Sequence, residues 1–290
     1  MSGTMNLAVD RRVADFWDFE LTARLLQYDF TQRALVAMVL LGILGGVLGP
    51  LIVARQMSFA VHAVSELSVT GAAAALLLGI GVNIGGVIGA VIAAAVVGFL
   101  GNRARERDSV IGVVMAFGLG LAVLFLSLYG STKTGFALLT GQVVSIDNEG
   151  LTAIVITTVV VLAVLAVIYR PLLFASTDPR VAQANGVPIR TLAVVFAVIM
   201  GLACAQGVQI IGALLVMSLM ITPGAAAARL TSNPARVIAL SVIFAEIAAV
   251  GGLVLSLAPK LPVSVFVTTI SFVIYLVCRA IGRRRSYTTR

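Results

Sequence analysis

The feature that most constrains this chain is a recurrence of apolar stretches about as long as a bilayer is thick. From Ala34 onward, such stretches follow one another with short polar breaks between them. A run of about 20 apolar residues is what one helix needs to cross the hydrocarbon core. Inside that core every backbone N–H and C=O must be paired within the chain, so these runs become helices. The composition agrees: 11% of residues are charged, against about 25% in a soluble domain. The expected fold is all-α, a polytopic transmembrane helical bundle.

Nine spans are expected, near 34–54, 64–82, 84–101, 109–129, 151–169, 191–205, 208–228, 237–257 and 263–281. The sixth is the shortest, and eight crossings result if it fails to span. The domain reading is an N-terminal interfacial segment (1–33), a membrane domain (34–282) and a basic tail (283–290). Residues 13–33 mix Phe16, Trp17, Phe19, Tyr28 and Phe30 with charges, which suits a helix lying at the interface; the alternative is a solvated N-terminal tail. They contain no apolar h-region, so no cleavable signal peptide is expected. The first span carries GILGGVLGP, a run of small residues that permits close helix packing. The expected turn between spans two and three lies around Asn83, and Pro223 is expected to kink span seven. Residues 102–108 read as a charged loop, and 130–150 as a connection with a short helix or re-entrant piece. Cys204 and Cys278 both fall in apolar runs and read as small core residues, with no disulfide.

The net charge of +8 sits in short loops and at the C-terminus. That distribution fits membrane orientation and not nucleic-acid binding. One set of alternate loops holds Arg55, Arg103, Arg105, Arg107, Arg170, Arg180, Arg190, Arg229 and Arg236, with Arg283 to Arg285 in the tail, whereas the opposite set holds Lys133 and Lys260. The arginine side is expected to be cytoplasmic. The C-terminus then lies inside and, with nine crossings, the N-terminus outside.

No Walker A motif, HExxH or GxSxG is present. The chain is therefore not expected to be an enzyme. Polar residues within spans are few, and those are the places to look for function. His62, the only histidine, lies four residues before Glu66. On a helix both point to one face, and an imidazole with a carboxylate can share a divalent metal. Two ligands make a weak site, which suits an ion that must leave again. The structural alternative is a hydrogen-bonded pair holding two helices. Glu246 lies mid-span in VIFAEIAAV and is a second candidate on the path or gate, or a structural hydrogen-bonding group. In 178–186, DPRVAQANG, Asp178 can cap a helix, Pro179 suits its first turn and Gly186 its end. This compact two-turn helix, with Ala182 and Ala184 along it, is expected to dock a soluble partner; the alternative is an ordinary surface helix.

Three stretches resemble the permease subunits of ATP-binding-cassette importers for zinc, manganese and iron. They are RQMSFAVHAVSE (55–66), DPRVAQANGV (178–187) and GALLVMSLMITPGAAAARLTSNP (212–234). The likeness extends in order over roughly 30–282. It implies a type II importer fold, a homodimer with the path at its interface, separate cytoplasmic ATPase subunits that use the ATP, and an extracytoplasmic solute-binding protein. The cargo would be a divalent metal ion, with no permanently bound cofactor, and the location the cytoplasmic membrane. Many members carry Asp-x-x-x-His where this chain has His62-x-x-x-Glu66, which blurs the choice of metal. Competing readings are a permease for a metal chelate, such as a siderophore or cobalamin, and a membrane-embedded enzyme or scaffold.

Overall fold

The computed structural model describes residues 19–100, 104–130, 146–259 and 261–288, and no strand occurs among them. A short helix α1 (Phe19–Leu25) leads into α2 (Asp29–Ala54), α3 (Ser58–Leu78), α4 (Val82–Leu100) and α5 (Ala104–Tyr129). Then come α6 (Asn148–Thr177), the short α7 (Pro179–Ala184), α8 (Ile189–Ile211), α9 (Ala213–Ala227), α10 (Pro234–Leu257) and α11 (Val263–Thr288). Among the described residues, eight helices are long and apolar enough to cross a membrane: α2 to α6, α8, α10 and α11.

The short member of the bundle is α9, with 15 residues, and not the sixth span. α8 has 23 residues because Gly207 does not end it. The break comes at Gly212, whose φ of 86° and ψ of 156° lie in a region that side-chain-bearing residues avoid. Other helices also run past their expected ends. α2 starts at Asp29, inside the expected interfacial segment. α5 absorbs most of the charged 102–108 loop, and α6 continues through Arg170 and Pro171 to Thr177. At 30 residues, α6 is about 45 Å long and exceeds the hydrocarbon thickness of about 30 Å. The turn after α3 falls at Gly79, with φ 67°, and Asn83 already lies in α4. Residues 1–18 and most of the expected 130–150 connection lie outside the described residues.

α2 organises the packing. Lipid offers no hydrophobic drive between helices, so close van der Waals fit and interhelical hydrogen bonds do the work. Two glycine pairs on α2 supply the fit. A Cβ on Gly42 would lie 2.6 Å from Glu246 Oε1, and one on Gly46 2.5 Å from Val242 Cα, both on α10. A Cβ on Gly45 would lie 2.7 Å from the Leu219 carbonyl, and one on Gly49 2.8 Å from that of Met220, both on α9. α3 combines glycine contacts, Gly71 against Gly85 and Gly89 of α4, with hydroxyl bonds. Ser68 Oγ donates to Gly86 O of α4 at 3.0 Å, and Thr70 Oγ1 to Gly118 O of α5 at 2.8 Å.

These contacts fix direction. Gly42 and Gly46 meet Glu246 and Val242 in reverse order, so α2 and α10 are antiparallel. Gly45 and Gly49 meet Leu219 and Met220 in the same order, so α2 and α9 are parallel. Gly282, near the end of α11, packs on Arg229, just past the end of α9, so these two are parallel as well. α9 thus takes its own turn in the up-and-down order despite its length. The start of α2 and the end of α11 lie at opposite ends of the bundle.

Candidate functional site

α3 carries its polar side chains in two classes. Ser65 Oγ donates to Val61 O at 2.8 Å, and Thr70 Oγ1 reaches both Glu66 O at 3.1 Å and Gly118 O. Together with Ser68 they are satisfied by backbone carbonyls. His62 and Glu66 are not. Glu66 is 8% exposed and its Oε2 is buried without a hydrogen-bond partner; His62 Nδ1 is buried and equally unpartnered. The Phe59 ring stands 6.5 Å from the imidazole, tilted at 50°.

Helical geometry places the pair at the edge of one packed face. Phe59, Leu67 and Thr70 meet α5, through Gly112 and Gly118. Positions 62 and 66 lie beside that face and away from the one that meets α4 through Ser68. A buried polar atom without a partner carries a cost of about 1–3 kcal/mol. The two atoms are an imidazole nitrogen and a carboxylate oxygen, types that first-row divalent cations accept as ligands. Among the described residues no group of three or more His, Cys, Asp or Glu comes together. One copy of the chain therefore presents a pair and not a closed site.

Glu246 does not join them. It lies midway along α10, and its carboxyl rests on Gly42 of α2, with Oε1 buried and unpartnered. The three candidates do not form one cluster.

The short helix has the expected build. Asp178 Oδ1 accepts from Arg180 N at 3.0 Å and Val181 N at 3.1 Å, and Pro179 opens the helix. Gly186 has φ 79°, and beyond it Val187 N returns to Ala182 O at 3.1 Å. The two alanines differ from expectation. Ala184 is exposed, but Ala182 is fully buried and packs into the core. Ala182 anchors α7 to the bundle, because a one-and-a-half-turn helix is held by its inward side chain and not by its own hydrogen bonds.

One arrangement was not legible in the sequence. Arg55, the C-cap of α2, donates from Nη1 to Ser176 Oγ at 3.3 Å, and its guanidinium lies 5.5 Å from the Phe196 ring centroid. A single arginine at a span end reads as a topology signal. Only the fold brings it to α6 and α8.

A bundle of long apolar helices, with isolated polar groups inside and a capped helix in a connecting segment, defines a polytopic membrane transport protein. Residues 27–282 match the ABC 3 transport family, and the chain belongs to that family, as a membrane permease subunit of an ABC transporter. It is 33% identical to the manganese transport system membrane protein MntC of Halalkalibacterium halodurans, over 80% of each chain. It is 26% identical to the high-affinity zinc uptake system membrane protein ZnuB of Haemophilus influenzae, over 77% of this chain and 86% of that one. The solved structure of PsaBC from Streptococcus pneumoniae in complex with Fab superposes with a TM-score of 0.80 at 24% identity, covering 89% of this chain and 94% of that one. At that identity the likeness speaks for the fold.

Proposed function

We propose that this permease admits a divalent metal ion, with manganese the first to test and zinc and iron next, and that His62 and Glu66 are its ligands on the path. The observation that carries this reading is the pair of buried, unpartnered donor atoms one turn apart on α3. A nitrogen and a carboxylate oxygen suit first-row divalent ions, and the relatives named above belong to manganese and zinc systems. With two ligands per copy, the ion is held weakly and can leave. A second copy of the chain completes the path. The arginine-rich side is cytoplasmic, including the end of α11, and the start of α2 faces outward. On the cytoplasmic side α7 docks separate ATPase subunits, and a solute-binding protein delivers the ion from outside.

The test is uptake of radioactive manganese, zinc and iron by cells carrying the complete transporter. His62→Ala and Glu66→Ala should insert at normal levels and lose most uptake. Uptake at the unmodified level in both variants would sink the assignment of the path.

A further inference from the structure

We propose that Arg55 is a positioning residue that passes movement of the α6–α7 corner to the ligand-bearing helix α3. The inference rests on the docking role given above to α7.

The turn between α2 and α3 is only three residues long, 55–57. Gln56 takes φ 54°, the one positive φ among the described non-glycine residues. Met57 N closes the turn on Ile52 O at 2.9 Å. A turn this short, with a residue held in the left-handed region, behaves as a stiff link. His62 follows Arg55 by seven residues and Glu66 by eleven, with uninterrupted helix from Ser58 onward. A displacement at Arg55 therefore reaches both ligands.

The other end of the link is equally direct. Arg55 Nη1 donates to Ser176 Oγ, and Ser176 Oγ in turn donates to Leu172 O at 2.6 Å. Ser176 precedes Asp178, the cap of α7, by two residues. The guanidinium also sits over Phe196, which is fully buried in α8. The arginine thus holds three elements at one point: the end of α2, the last turn of α6 and the first half of α8. Lysine could not reproduce this, because the planar guanidinium both stacks and donates sideways while an ammonium is a point charge.

The corner has room to move. A cavity of ≈ 240 Å³ lies against it, lined by Arg55, Gln56, Ser176, Pro179 and Ile189 among others. Ala182 fixes α7 to the bundle. A push on α7 therefore shifts Pro179 and Ser176 as a body toward or away from Arg55.

The experiment uses the complete transporter in lipid vesicles, with spin-label pairs that report nucleotide-driven displacement. One pair follows α7 from the last turn of α6, to which it is joined, through the exposed Phe174 and Ile243 of α10 (the α7 distance); the other joins α3 to α10 through the exposed Leu78 and Ile243 (the α3 distance). The native thiols Cys204 and Cys278 are buried and do not take label. In the unmodified chain both distances should change when ATP replaces ADP. In Arg55→Lys and in Ser176→Ala the α7 distance should still change and the α3 distance should not. Metal moved per ATP should fall about tenfold, the range expected for coupling carried by one link. The inference is overturned if the α3 distance still changes in both variants, or if the α7 change disappears with it, since the arginine would then only hold the corner together. A static α7 in the unmodified chain would overturn the docking reading and this inference with it. The distance measurement needs no cargo, so a transporter that moves none of the three metals would sink the proposed substrate and leave the link itself readable.

Discussion

The carboxyl of Glu246 rests directly on Gly42, with Oε1 2.6 Å from the point that a Cβ on that glycine would occupy. One of the four glycines of α2 and the single acid of α10 therefore define one joint in mid-bundle. Gly42→Ala should push the two helices apart or drive Glu246 from its seat. Overpacking of this kind costs about 1–3 kcal/mol. Thermal unfolding in detergent should show it as a lowered midpoint. Gly120→Ala is the matched control, since nothing lies within 4 Å of its added Cβ. Equal midpoints for the two variants would refute the joint.

The same geometry separates two substitutions of Glu246. Glutamine keeps the shape and an acceptor oxygen over Gly42. Leucine places a branched apolar group against the glycine and removes the acceptor. Glu246→Gln should retain most uptake and stability, and Glu246→Leu should lose more than half of each. Complete and equal loss of uptake in both, with folding intact, would instead mark an essential charge.

Much of this architecture is legible in the sequence, and what is not has physical causes. Long apolar runs are legible as spans because a single segment can pair its own backbone in hydrocarbon only as a helix. Helix ends are less legible: 104–108 and 170–177 are polar enough to read as loop, and 29–33 as part of a separate interfacial helix, yet helix propensity carries the spans through them. The boundary between the sixth and seventh spans, expected near 205–208, lies at Gly212, and Gly207 is a packing position against Val216. The pairing of His62 and Glu66 as a candidate is legible because i and i+4 share a face, and both side chains carry a buried atom without a partner. The burial of Ala182 and the reach of Arg55 to Ser176 depend on which elements meet, which no local spacing encodes.

Thr70 offers a test of how α3 is held. Its hydroxyl bonds the Gly118 carbonyl across to α5 at 2.8 Å. Interhelical bonds of this type are worth about 0.6 kcal/mol on average. Thr70→Val keeps the shape and should cost about that much, leaving uptake within about twofold. A loss as deep as that of Glu66→Ala would place Thr70 on the path instead.

The last prediction separates the two alanines of α7. Ala182 is fully buried and Ala184 is exposed on the same short helix. Ala182→Glu would force a carboxylate into the core without a partner, at a cost of several kcal/mol, so α7 should detach or the chain should fail to accumulate. Ala184→Glu adds a charge on the outer surface, where the fold has no objection. If α7 is the docking element, Ala184→Glu should give normal amounts of folded permease that no longer retain the ATPase subunits. Asp178→Ala should give an intermediate result, because losing the cap costs about 1 kcal/mol and frays α7 without placing a new group in the interface. Co-purification of the ATPase with each variant, alongside ATP turnover in lipid, reads the outcome. If Ala184→Glu keeps its ATPase and its coupling, the exposed face of α7 is not the contact, and the charged 103–108 segment becomes the next candidate to test.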